Sequence, residues 1–370
     1  MEYKVKVVNF PRQYFRIKNE IDNTIKEILE TGRFILREDV ENFERNIASF
    51  LGTKYAIGLN SGTDAIFLSY CTAGIKPGDE VITVSHTFVS TVATVIHCGA
   101  KPVLVDIGED MNMDTEKLED VITEKTKAIV PVHLNGRVCN MEKIMKIAKE
   151  NNLIVIEDAA QSLGAHFNGQ NAGSFGLTSC FSFYPAKILG TIGDGGLVAT
   201  NDEEITNKIR LLRNHGQNRN TGEIIGFGFN SRLDNLHAAI LNVKLKHVPS
   251  YIKRRREIAK MYNEELENLG DIIIPPKPDK VFSDVYQSYV IRTKKRNDLA
   301  TFLKGNGIET LINWSVPVHK HKALKLEHFK LPKTEEISAQ ILSLPMYSEL
   351  EDDEVNYIIK TIKKFYKIQN

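Results

Sequence analysis

Between Lys54 and about Thr200 the chain alternates short apolar runs with stretches of helical pattern, and this alternation constrains the fold more than any other feature. The runs read YAIGL, EVITVS, PVLVDI, KAIVPVHL, LIVIEDAA, CFSFY and GLVAT. They are short and rich in Val and Ile, as strands covered on both faces are. Strands alternating with helices in this way predict a large, mainly parallel sheet with helices on both sides, the α/β class. Two helices are expected ahead of it, near Lys18–Thr31 and Glu38–Leu51, with Gly32 and Gly52 where C-caps belong. Downstream, Asp234 to Leu269 reads as helix interrupted near Pro249. The remainder carries a strand at Ser288–Thr293, a helix after Arg296 and another in Asp352–Lys367. A large domain over residues 1–249, N-terminal segment included, and a smaller C-terminal α/β domain over 250–370 follow from this pattern.

Composition excludes several classes. Of 370 residues, 48 are Lys or Arg and 47 Asp or Glu, a net charge of +1 that gives no basic surplus for nucleic acid. Cys71, Cys98, Cys139 and Cys180 lie far apart without a CxxC pair, so neither structural zinc nor a disulfide framework is expected, and no metal is assigned. The start, MEYKVKVVNF, lacks the apolar stretch of a signal peptide, and no run of about 18 apolar residues could span a bilayer. A cytoplasmic protein without a membrane partner is expected.

The chemistry concentrates in SCFSFYPAKILGTIGDGGLVAT, Ser179–Thr200. Lys187 sits between Pro185 and a Gly-Asp-Gly-Gly bend, so turn chemistry fixes its backbone on both sides. Such a lysine suits Schiff-base formation with a carbonyl compound, against the plain alternative of a solvated loop lysine. Asn60-Ser61-Gly62-Thr63-Asp64 follows YAIGL and opens a helix. It reads as a phosphate cradle or as an ordinary capped helix, and no Gly-Lys-Ser/Thr makes it a Walker loop. Asp158 ends LIVIE, where open α/β sheets bind ligands. Buried there it needs a cation, such as the protonated ring nitrogen of pyridoxal phosphate, unless it merely caps a helix. Gln161, three residues on, is placed to donate to that cofactor's ring hydroxyl. Phe88 in SHTFVST covers the ring face or belongs to the core, and Ser182 adds a phosphate hydroxyl or is a buried strand serine. Asn230 and Arg232, in the polar loop RNHGQNRNTGEIIGFGFNSR, are surface groups unless a second subunit closes over them.

Phosphate turn, aromatic, EDAAQS, FSFYPAK with GDGG, and GFNSRLDNLHAAIL occur in this order. Together they resemble the DegT/DnrJ-type nucleotide-sugar aminotransferases, from GRFI at Gly32 to LSLPMY near Leu344. The resemblance implies an aspartate-aminotransferase-like fold (type I pyridoxal-phosphate fold) and pyridoxal 5'-phosphate held on Lys187, which also shuttles protons. It implies Asp158 on the ring nitrogen, Gln161 on the ring hydroxyl and Thr63 and Ser182 on the phosphate, with Gly62, Asp64 and Phe88 completing the cofactor set. Asn230 matches a residue reaching the neighbouring subunit's phosphate, so a homodimer with shared active sites is implied. Arg37, Asn135 and His237 depart from the family pattern.

The implied reaction moves an amino group from L-glutamate to a nucleotide-linked keto sugar. Tyr184, Leu189-Gly190 and the GDGG turn resemble relatives that aminate carbon 3. The expected acceptor is therefore a dTDP-3-keto-6-deoxyhexose, giving a dTDP-3-amino-3,6-dideoxyhexose, with Tyr184 bonding a sugar hydroxyl unless it only packs. His319 and Arg232 are further candidate substrate contacts. A UDP-linked 3-keto sugar acid is the nearest competitor, needing a cation such as Arg37 or Arg137, and a 4-keto sugar is the next. Non-enzymatic rivals are a pyridoxal-phosphate-binding regulatory protein and a nucleotide-binding module without the cofactor.

Overall fold

The computed structural model describes residues 3–369. Three helices open the chain, α1 (Phe10–Arg16), α2 (Lys18–Thr31) and α3 (Glu38–Leu51). Gly32 and Gly52 end the second and third with φ of 64° and 73°, the left-handed cap that glycine adopts without strain. Strands β1 (Tyr55–Leu59), β2 (Glu80–Val84), β3 (Lys101–Val105), β4 (Thr126–Ile129) and β5 (Ile154–Asp158) then alternate with α4 (Gly62–Thr72), α5 (Val89–His97) and α6 (Met141–Glu150). A short hairpin, β6 (His166–Phe167) and β7 (Gln170–Asn171), precedes β8 (Thr178–Ser182) and β9 (Gly196–Thr200).

Seven of these strands form one sheet in the order β1-β9-β8-β5-β4-β2-β3. Pairings from β8 through β5, β4 and β2 to β3 are parallel, whereas β9 runs antiparallel to both β8 and β1. The mainly parallel sheet read from the sequence is thus present, with one reversed strand. The reason lies in the β8–β9 connection, which contains no helix to carry the chain back across a sheet face. This reversal delivers the lysine turn and the GDGG bend to the rim where β1, β2 and β5 also end. A ligand site at the carboxyl ends of parallel strands follows from that topology.

The chain continues through α7 (Glu203–Leu212), α8 (Asn235–Leu245) and α9 (Val248–Leu266), with the break just before Pro249. It ends with β10 (Phe282–Ser283), β11 (Tyr289–Arg292), α10 (Arg296–Gly305), α11 (Pro332–Gln340), β12 (Ile341–Leu344) and α12 (Asp352–Gln369). Helix α9 joins two cores: Tyr251 and Ile252 pack beneath the large sheet, and Ile258, Ala259, Tyr262 and Leu266 pack among the C-terminal elements. Val5 also belongs to that second core, bonded through its main chain to Gly307 and Glu309. The N-terminal segment, grouped by sequence with the large unit, therefore leans on the smaller one. No helix among the described residues is long and apolar enough to cross a membrane.

Edge strand β1 is closed by a buried ion pair. Glu44 accepts the Gly58 N–H at 2.9 Å and pairs with Arg213, whose guanidinium donates to the Gly58 carbonyl at 2.8 Å. Both side chains are 7 % exposed. Glu44→Leu is expected to destabilise the fold by about 3–5 kcal/mol, because Arg213 would stay buried without its counter-charge. The same change at exposed Glu30 should stay within about 0.5 kcal/mol. Urea midpoints of the two variants check this.

Candidate active site

Eight of the residues singled out in the sequence line one cavity of about 660 Å3: Gly62, Thr63, Phe88, Asp158, Gln161, Ser182, Tyr184 and Lys187. A larger hollow of about 850 Å3 between α3 and α7 contains none of them. The C-terminal elements close the far wall with Gln287, Ser288 and Trp314, and the N-terminal segment adds Val7 and Val8.

Asp158 ends β5 and is 6 % exposed. Its Oδ2 accepts from Thr91 Oγ1 at 2.8 Å and its Oδ1 from the Ala160 N–H at 3.3 Å. Burial pushes its pKa above the usual carboxylate value, while these two donors and the nearby Lys187 pull it back. Lys187 is turned by a hydrogen bond from its N–H to the Tyr184 carbonyl, 2.8 Å. Burial lowers its pKa from 10.5 to about 8, with Asp158 opposing the shift. A neutral amine is thus accessible near physiological pH, as a carbonyl-binding or proton-moving lysine requires.

The cradle is built by close approach. Ser61 caps α4, its Oγ accepting the Asp64 N–H at 3.1 Å. A Cβ on Gly62 would lie 2.9 Å from that of Ser182, and one on Gly196 would lie 2.1 Å from the Ser61 carbonyl oxygen. Only glycine lets the helix start seat against β8 and β9, which puts the first-turn amides beside the Ser182 hydroxyl. Gln161 Oε1 accepts the Asn135 N–H at 2.8 Å, leaving the NH2 end of that amide for a ligand. Phe88 is 59 % exposed and Tyr184 54 %, so neither belongs to the core. These features fit pyridoxal phosphate: a buried carboxylate whose bonded partners are neutral, a depressed lysine, a free amide donor and an open helix start.

Four candidates stand elsewhere. Asp64 lies outside the cavity wall, its N–H spent on Ser61. Asn230 is exposed and bridged through its main chain to Asn214, whose side chain also accepts from Arg232 at 3.3 Å; neither reaches this cavity. His319, expected as a sugar contact, stands outside the cavity wall. Its ring is wholly buried, with Nδ1 on Ser85 Oγ at 2.7 Å and Nε2 on Glu335 at 3.3 Å. Arg137, considered as a carboxylate partner, is committed to Asp284 at 2.9 Å and stacks over the Phe282 ring. His237 bonds the Asp194 carbonyl at 3.0 Å and so steadies the GDGG bend.

Sequence reasoning missed Thr91, Gln287 and Trp314. Thr91 follows Thr87 by four residues, and the two hydroxyls bond at 2.8 Å. That spacing, one hydroxyl just ahead of α5 and one in its first turn, was the available signal. Gln287 and Trp314 carried none.

The sequence model of a family described as the DegT/DnrJ/EryC1/StrS aminotransferase family matches residues 16–363. The chain is 40% identical to a "pleiotropic regulatory protein" of Geobacillus stearothermophilus, over 98% of this chain and 99% of the relative. It is 39% identical to a UDP-2-acetamido-2-deoxy-3-oxo-D-glucuronate aminotransferase of Pseudomonas aeruginosa, over 96% and 98%. With a dTDP-3-amino-3,6-dideoxy-alpha-D-galactopyranose transaminase of Aneurinibacillus thermoaerophilus it shares 40% identity over 95% and 96%. Among solved structures, S. venezuelae DesV in complex with a ketimine intermediate superposes with a TM-score of 0.94 at 36% identity, covering 99% of both chains.

In cofactor-free protein, labelling of Lys187 by an amine-directed reagent should show a midpoint near pH 8 rather than 10.5. Asp158→Asn removes the charge that holds the amine protonated, so the midpoint should move further down. Peptide mapping across a pH series reads both. A midpoint above 10 would contradict the buried geometry.

Proposed function

The chain belongs to the DegT/DnrJ/EryC1/StrS aminotransferase family, a family of pyridoxal-phosphate enzymes, and from that premise we propose that it aminates carbon 3 of a nucleotide-linked keto sugar with L-glutamate as donor. The acceptor we assign is a dTDP-3-keto-6-deoxyhexose. Bound pyridoxal phosphate supplies an electron-withdrawing ring and a carbonyl group that exchanges one amine for another. Asp158 is the group suited to keep that ring's nitrogen protonated. Lys187 Nζ, half neutral near pH 8, is suited to take the proton from the donor's α-carbon and to return one at the sugar carbon. Thr63 and Ser182 would hold the phosphate and Gln161 the ring hydroxyl. Tyr184, three residues before the amine and uncommitted on the cavity wall, is the candidate for a sugar hydroxyl beside the ketone.

The observation that carries the choice of sugar is the charge of the wall. Among the described residues lining the cavity, Lys187 is the sole side-chain cation of the Lys and Arg type, Arg137 is bonded to Asp284, and Arg37 stands exposed at the start of α3. A sugar acid would bring a carboxylate to this wall without a fixed partner. The printed name of the Aneurinibacillus relative carries an amino group at carbon 3 of its sugar and that of the Pseudomonas relative a 3-oxo group, in line with Tyr184 and the GDGG turn. The alternative of a cofactor-binding regulator without turnover draws support from the name of the Geobacillus relative. It predicts no half-reaction with glutamate.

A homodimer with shared sites is part of the proposal. The loop that carries Asn230 exposes Ile224, Ile225 and Phe227 at 70 %, 58 % and 102 %, an apolar surface that a second copy would cover.

Two measurements test this reading. The amine-loaded enzyme should turn over dTDP-linked 3-keto 6-deoxyhexose faster than the 4-keto isomer or a UDP-linked 3-keto sugar acid, and the reverse order would overturn the assignment. Mixing Asn230→Ala chains with Lys187→Ala chains should restore activity above either parent, since a mixed dimer then holds one intact site. Equal activity, with subunit exchange verified and Asn230→Ala impaired alone, would argue against sharing.

A further inference from the structure

One side chain from the C-terminal part of the molecule grips the peptide on both sides of Lys187. Gln287 Nε2 donates to the Ala186 carbonyl at 2.9 Å, and Gln287 Oε1 accepts the Ile188 N–H at 3.0 Å. Both ends of the amide are used, so its orientation is set and the lysine's own residue is bracketed.

Gln287 stands in a strap, residues 285–288, that is itself held from two directions. Arg255 of α9, 4 % exposed, donates through Nη1 to the carbonyls of Tyr286 at 2.9 Å, Met346 at 3.0 Å and Gln287 at 3.3 Å. Tyr286 has φ of 51°, a conformation that a bulky residue keeps only when its surroundings impose it. On the opposite side the Val285 N–H bonds the Gly136 carbonyl at 3.0 Å. Gly136 has φ of 95°, and a Cβ there would lie 2.7 Å from the Gln287 nitrogen. Its neighbour Asn135 supplies the N–H that fixes Gln161. The strap therefore touches both the lysine turn and the loop that orients the ring-hydroxyl donor.

We propose that Gln287 is a positioning residue for the reactive lysine: it fixes the main chain at Lys187, so that side-chain torsions alone carry Nζ between the atoms it serves. The inference rests on reading Lys187 as the cofactor-bearing lysine. A lysine has four side-chain torsions, and drift of its backbone would add to the spread of Nζ positions. A misplacement of about 1 Å costs on the order of 100-fold in rate.

The test compares Q287L, which removes both hydrogen bonds, with Q287E, which keeps an acceptor for Ile188. In cofactor-free protein, amide exchange at Ile188 should accelerate by about tenfold or more in Q287L and stay near the unaltered rate in Q287E. Unchanged exchange in Q287L would overturn the clamp. In single turnovers with glutamate, the rate per loaded site should fall roughly 10- to 100-fold in Q287L, with the KM for glutamate moving less than about twofold. In a Lys187→Ala background, with methylamine supplied as the base, the Q287L factor should vanish. Its persistence would mean that Gln287 acts elsewhere, and would sink the proposal. Should Q287L not fold, Q287M is unbranched, of similar length, and takes its place. Borohydride reduction of the loaded enzyme should label Lys187 alone. Label on another lysine would overturn the reading of Lys187, while the Ile188 exchange result would stand, so the two failures are told apart.

Discussion

The carboxylate of Asp158 is the constraint on which the rest of the site depends. It is buried at the end of a central strand, and its direct partners, the Thr91 hydroxyl and the Ala160 N–H, are neutral. A charge in that position is costly until a cation approaches it. Lys187 is near enough to influence it, yet burial pushes the lysine itself toward neutrality. The two groups therefore do not complete each other as a settled ion pair. The carboxylate stays available for a permanent cation, and the amine stays available as a base. A site that satisfied both internally would be more stable and unable to react.

The glycines enforce this arrangement through distance rather than flexibility. Gly196 lies against the Ser61 main chain, and Gly62 lies against Ser182. The start of α4, the end of β8 and the start of β9 are thereby pressed into one rim. The reversed strand β9 is what makes that contact possible, because a parallel return would have carried the GDGG bend to the opposite edge of the sheet. Fold and site thus share one device. The lysine turn is short because the strand reverses, and it is rigid because its carbonyl and amide groups are bonded on both sides.

Local signals in the sequence were reliable where the physics is local. Gly32 and Gly52 cap helices at the expected positions, and the Val- and Ile-rich runs are buried strands, since both follow from neighbouring residues alone. Lys187, Asp158, Thr63, Gln161 and Ser182 could be singled out because each sits at a strand or helix end or in a turn close to one, and such places are marked by turn residues. What stayed hidden depends on contacts between distant parts of the chain. Gln287 is about a hundred residues from the turn it holds, and nothing in VYQSYV distinguishes it from an ordinary pre-strand glutamine. His319 is the converse case. Its setting in VPVHKH looks chemical, but Ser85 and Glu335 occupy both ring nitrogens. Arg137 was likewise consumed by Asp284, a partner 147 residues away.

The same accounting of committed and uncommitted groups bears on which sugar the cavity suits. Discrimination between a neutral deoxyhexose and a sugar acid depends less on shape than on whether a carboxylate finds a fixed cation when water is removed. Leaving a buried charge unpaired costs several kcal/mol, more than one lost methyl contact in an apolar pocket. Arg137 would have been the natural partner from within this chain, and the structure turns it toward Asp284 and Phe282 instead. Apart from the carboxylates Asp158 and Asp194, which would repel a sugar acid, the polar and aromatic groups on the cavity wall include Tyr184, Ser182, Gln161 and the exposed Phe88. Such groups recognise hydroxyls and the apolar face of a ring. A 6-deoxy sugar offers both, with a methyl group where a sugar acid carries its charge.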